Sequence, residues 1–92
     1  MAQQPKVTLY TTRWCGFCAR AKDLLERKGE PYLEIPVDGE PEKRQQMMQL
    51  SGRHTVPQIW IGKIHVGGCD DLYALERSGQ LDSLLSQAGE QP

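Results

Sequence analysis

The sequence predicts an α/β fold: a mixed four-stranded sheet flanked by helices, in the order β-α-β-α-β-β-α-α. Three observations carry that reading. A short apolar strand pattern leads into a helical mixture and then a second strand pattern, the start of a parallel crossover unit. Gly62-Lys63 separates two further strand patterns, a tight hairpin connection. Glycines close the helical stretches. At 92 residues the chain is expected to form one domain over residues 1–92, large enough for a modest core and one site. The ordered part is expected over about residues 6–87.

Val7, Leu9 and Tyr10 in residues 6–10 give the first strand, which ends at the polar Thr11, Thr12 and Arg13. Beyond Cys15 and Cys18, the residues Ala19, Ala21, Leu24 and Leu25 fall among charged neighbours as in an amphipathic helix, with Gly29 as its left-handed cap. Tyr32, Leu33 and Ile35 form a second strand stopped by Pro36. The run Asp38-Gly39-Glu40-Pro41 is a turn into a second helix, with Pro41 in its first turn and Gly52 as its stop after Ser51. Residues 56–61 and 64–66 are the hairpin strands. Gly67-Gly68 turns the chain into a helix over 70–78, and Gly79 separates this from a last helix over about 81–87.

Apolar residues at 38% and charged residues at 25% are ordinary globular usage, which excludes wholesale disorder. A net charge of -1 leaves no basic excess to neutralise phosphates, so nucleic-acid binding is not expected. Residues 1–6 are polar and no later run is long enough to cross a bilayer, so no membrane role is expected and the cytoplasm is the default compartment. Three cysteines are too few for a structural disulfide framework, so the close pair reads as catalytic or metal-binding.

Two cysteines separated by two residues, opening a helix just after a strand, form a thioredoxin-like redox signal, because helix N-terminal amides and the helix dipole stabilise a thiolate. Cys15, nearer the strand, is expected to carry the more exposed sulfur and act as nucleophile. Cys18, one turn in, is placed to attack a mixed disulfide on Cys15. Gly16 leaves room for an incoming substrate. Alternatives are two inert buried thiols or half a zinc site; zinc needs four ligands, and only Cys69, His54 and His65 are available to complete it.

The chain resembles the dithiol glutaredoxins over nearly its whole length. The resemblance rests on Cys15-Gly16-Phe17-Cys18 after Tyr10-Thr11, on Thr55-Val56-Pro57, on Ile59-Trp60-Ile61-Gly62, and on Gly67-Gly68-Cys69-Asp70-Asp71 leading into Leu72. It implies a glutathione-dependent thiol-disulfide oxidoreductase of thioredoxin-like fold that acts on glutathionylated proteins and small disulfides. It also implies a cis Pro57, with the Val56 backbone pairing with the glutathione cysteine. The amides of Cys69 and Asp70 would receive a γ-glutamyl carboxylate, Gly68 allowing close approach, and Asp70 or Asp71 would take the ammonium while the other caps the helix.

The centre departs from the usual dithiol pattern, in which proline and tyrosine stand where this chain has Gly16 and Phe17. The same two residues occur in monothiol glutaredoxins, so the resemblance leaves room for a [2Fe-2S] cluster held between two chains by Cys15 and two glutathiones, the chain otherwise being a monomer. Reduction by a flavoprotein thioredoxin reductase is a second rival. Many members have lysine at Thr12; Arg13, or Arg44 and Gln45 on the second helix, are the candidate replacements for holding the glutathione glycine carboxylate. Phe17 offers an apolar wall and Trp14 a rim aromatic over the site. Cys69 reads as a small buried side chain or a regulatory thiol, and His54 and His65 as surface or strand-edge residues.

Overall fold

The computed structural model describes residues 5–89, so the polar reading of the N-terminus falls largely outside the described residues. The elements are β1 (Val7–Thr11), α1 (Gly16–Arg27), β2 (Tyr32–Pro36), α2 (Pro41–Ser51), β3 (Gln58–Ile61), β4 (Ile64–Gly67), α3 (Cys69–Arg77) and α4 (Gln80–Gly89). The order is the one predicted. They build a mixed sheet of order β2-β1-β3-β4. β1 pairs parallel with β2, from Val7 opposite Tyr32 to Thr11 opposite Pro36, and antiparallel with β3, with Tyr10 opposite Gln58.

β1 is central because its side chains are apolar on both faces. Val7 and Leu9 point into a core with Ala21, Leu24 and Leu25 of α1, Leu72 of α3, and Leu81 and Leu85 of α4. Tyr10 points the other way, into a smaller cluster with Val37 and Met47 of α2. The alternation of one strand thus fixes which helices cover which face. α1 stops where expected: Gly29 takes φ +68°, and Lys28 and Glu30 donate their N–H groups to the carbonyls of Leu24 and Leu25.

α1 starts at Gly16, on the cysteine pair as expected, and the Cys15 side chain caps it. β3 starts at Gln58 and not at residue 56, because Pro57 has no N–H to give a ladder. The result is that β1 delivers Cys15 to one side of the sheet end, and the loop before β3 arrives opposite it.

Candidate functional site

Cys15 is the residue before α1, with extended φ and ψ of -132° and 108°, and its Sγ accepts the backbone N–H of Cys18 at 3.1 Å. A sulfur here does what serine or aspartate does elsewhere, satisfying an amide the helix itself leaves unpaired. The Cys15 sulfur is half-buried, whereas Cys18 is 1% exposed, as the sequence reading expected of the pair. Burial pushes the Cys18 thiol up to about 12, the Cys15 side chain adding to the effect while the Thr12 backbone and Lys22 pull the other way.

The Cys15 thiol also faces the Val56 carbonyl at 3.9 Å, across from the cis Val56-Pro57 bond. Beyond Val56 a groove of 310 Å³ is lined by Phe17, Arg53, Thr55, Val56, Pro57, Gly68, Cys69, Asp70 and Asp71. Three segments far apart in sequence therefore converge beside one thiol. Phe17, 56% exposed, is the apolar wall.

One of the two aspartates caps α3, as expected. Asp71 Oδ2 accepts the Gly68 N–H at 2.9 Å and lies 3.4 Å from Arg53 Nη1, so Asp71 is the cap. Asp70 is exposed on the groove. Gly67 makes the turn possible: at φ +115° an added Cβ would collide with the Asp71 carboxylate. Cys69 is buried at 4% exposure, and its burial pushes the thiol above its ordinary value.

Several expectations change. Thr12 and Arg13 line a separate cleft of 510 Å³ with Lys22, Glu34, Asp38 and Lys43, because β1 carries them toward β2 and away from β3. Arg44 and Gln45 lie in neither cavity; they share a shallow surface pocket with Pro41 and Met48 on α2. Trp14 is 92% exposed and so covers nothing. His54 is exposed and His65 lies on the edge strand β4, both as expected; His65 is in addition half-buried and bonded to Gln58. Arg53 was missed, since an arginine between Gly52 and His54 belongs to no local pattern; only the cavity shows its place.

Among the described residues no three or more His, Cys, Asp or Glu side chains stand together as a metal site. A [2Fe-2S] cluster needs four ligands, and Cys18 and Cys69 are buried; Cys15 alone of the three cysteines fits as a ligand, and the remaining ligands would have to come from a second chain and from glutathione.

A half-buried thiol that caps α1, a buried thiol one turn in and a cis-proline loop facing the first are the arrangement of a thiol-disulfide oxidoreductase with a thioredoxin-like fold. The model of the glutaredoxin family matches residues 7–66. The chain is 61% identical over 82 residues to a glutaredoxin of Pseudomonas aeruginosa, covering 89% of this chain and 98% of that one. The solution structure of a glutaredoxin from Brucella melitensis is 53% identical with a TM-score of 0.80, covering 99% and 98% of the two chains. The crystal structure of a buckwheat glutaredoxin–glutathione complex is 31% identical with a TM-score of 0.85, covering 96% and 83%. The chain belongs to the glutaredoxin family. Among the described residues no helix is long and apolar enough to cross a membrane.

Proposed function

We propose that the protein reduces glutathione mixed disulfides on proteins and small molecules, with Cys15 as nucleophile and glutathione as the electron source. The observation that carries this reading is the groove beside Cys15, which joins the free edge of Val56 to Arg53, Asp70 and the amides opening α3. Glutathione is an extended peptide with a carboxylate and an ammonium at one end, and that groove offers backbone, a cation, an anion and a helix N-terminus in one strip.

In the reaction, the Cys15 thiolate attacks the glutathione sulfur of the mixed disulfide. A Cys15–glutathione disulfide forms, and the target leaves as a thiolate that takes up a proton. A second glutathione thiolate then attacks the bound glutathione sulfur, releasing oxidised glutathione and returning Cys15 as thiolate. In the alternative closing step Cys18 attacks Cys15, releasing glutathione, and two glutathiones later reduce the Cys15–Cys18 disulfide. Arg53 is the cation this groove offers a carboxylate; Arg13 lies in the separate cleft, where its backbone N–H donates to Asp38 Oδ2 at 3.3 Å.

Turnover of a glutathionylated peptide, driven by glutathione with glutathione reductase and separately by thioredoxin reductase, tests this. Activity is expected with the first system only. Cys15→Ser should fall to background while remaining folded, since a serine oxygen also caps the Cys18 N–H. Cys18→Ser should keep activity within roughly threefold. Turnover by the Cys15 variant, or reduction supported only by thioredoxin reductase, would overturn the proposal.

A further inference from the structure

Gln58 is the first residue of β3, and its side chain is fully buried at 0% exposure. A buried amide is costly unless all its polar atoms are paired, so an apolar residue would fill the position more cheaply. Here each is paired. Nε2 donates to the Thr55 carbonyl at 3.1 Å and to Thr55 Oγ1 at 3.3 Å, and Oε1 lies 2.8 Å from His65 Nε2.

The directions of these bonds follow from chemistry. A backbone carbonyl only accepts, so the amide nitrogen must face Thr55 and the amide oxygen must face His65. His65 Nε2 therefore carries a hydrogen and donates. The His65 ring is held in turn by Trp60, with ring centroids 4.7 Å apart and planes inclined by 34°, and Trp60 packs edge-on against Tyr10 of β1 at 5.4 Å. Burial, with Arg53 nearby, keeps the imidazole below its ordinary value; since both protonation states donate from Nε2, the bond persists in either.

The chain of bonds ends on the segment that faces the nucleophile. Thr55 precedes Val56, whose carbonyl the Cys15 thiol approaches, and both line the groove. We infer that Gln58 and His65 are a positioning pair for the disulfide-exchange reaction: the buried amide, oriented by the His65 donor, fixes Thr55 and so holds the Val56 backbone at the register a glutathionyl peptide must pair with. Neither side chain lines the groove or reaches substrate. The inference rests on the glutathione reading above, and it adds a requirement on β3 and β4 that this reading does not contain.

The test compares Gln58→Leu, His65→Phe and His65→Gln with the parent, using a glutathionylated peptide and, separately, a single turnover of cystamine by the reduced protein with no glutathione present, with thermal melts alongside. Phenylalanine keeps a ring beside Trp60 but removes the donor; glutamine restores an N–H. For the glutathionylated peptide, Gln58→Leu and His65→Phe should raise KM about tenfold with kcat within about twofold, the size expected for losing a hydrogen bond or two. Rates with cystamine should stay within about twofold, and His65→Gln should recover most of the parent KM. An unchanged KM in a folded variant, or equal losses with both disulfides, would overturn the inference. If Gln58→Leu does not fold, the His65 pair decides alone. A parent that does not prefer the glutathionylated peptide would instead count against the proposed function.

Discussion

The two sulfurs of the centre differ in environment more than in position. Cys15 sits at the surface and accepts an amide, and Cys18 is sealed behind it with its thiol held near 12. Burial is the largest cause, but two further contributions, a hydrogen bond and a charge, come from Cys15 itself. Both are removed when Cys15 is tied up in a mixed disulfide, whereas the burial of Cys18 remains. In the reduced protein at neutral pH, limiting iodoacetamide should modify Cys15 well before Cys18 or Cys69, the other two thiols being buried and raised. Peptide mass spectrometry over a time course reads the order, and earlier labelling of Cys18 would refute it.

At the scale of elements, the N-terminus of α1 is where sequence change should matter most visibly. Gly16 is the first helical residue, where an N–H has no intrahelical partner and proline is well accommodated. Cys15 already has the extended backbone a residue before proline requires, and a Cβ on Gly16 would meet nothing within 4 Å. Gly16→Pro is expected to stabilise the fold by about 0.4–1 kcal/mol through the unfolded chain. Urea unfolding would show it, and a loss of stability would mean that the turn into α1 is tighter than its geometry indicates. The same helix end was legible beforehand because a strand, two cysteines and a helical pattern follow one another locally. Gly29, Gly52 and the Gly62-Lys63 hairpin were legible for the same reason. Two features were not: the division of Thr12 and Arg13 from the groove depends on β1 lying between β2 and β3, and Arg53 joins the groove only once α3 has docked. Gln58 was hidden for a further reason, since a glutamine after proline gives no sign of being buried.

Across the whole molecule, one polar knot ties β1, β2 and α1 together beneath the site. Thr11 Oγ1, 1% exposed, donates to Glu34 Oε2 at 2.7 Å, and Lys22 Nζ approaches the same oxygen at 3.0 Å. Burial alone would raise the Glu34 carboxyl, but the Thr11 hydroxyl and the Lys22 ammonium outweigh it and hold it below its ordinary value of 4.5. A carboxyl lowered in the folded state contributes stability that is fully present above its unfolded value and is lost as pH falls through the folded one. The opposite sign applies to Lys28, raised above 10.5 by Glu76 and Asp82, whose contribution is lost only in strong alkali. Acid should therefore loosen the β1–β2–α1 junction while the Lys28 contacts among α1, α3 and α4 keep their cation. Urea unfolding from pH 6 down to pH 3 is expected to show stability falling below about pH 4.5, with a shallower fall in Glu34→Gln, which cannot titrate. Lys22→Met should also flatten the slope, because without the ammonium the Glu34 carboxyl returns toward its unfolded value. Parallel slopes in all three proteins would assign the acid loss to other carboxyls.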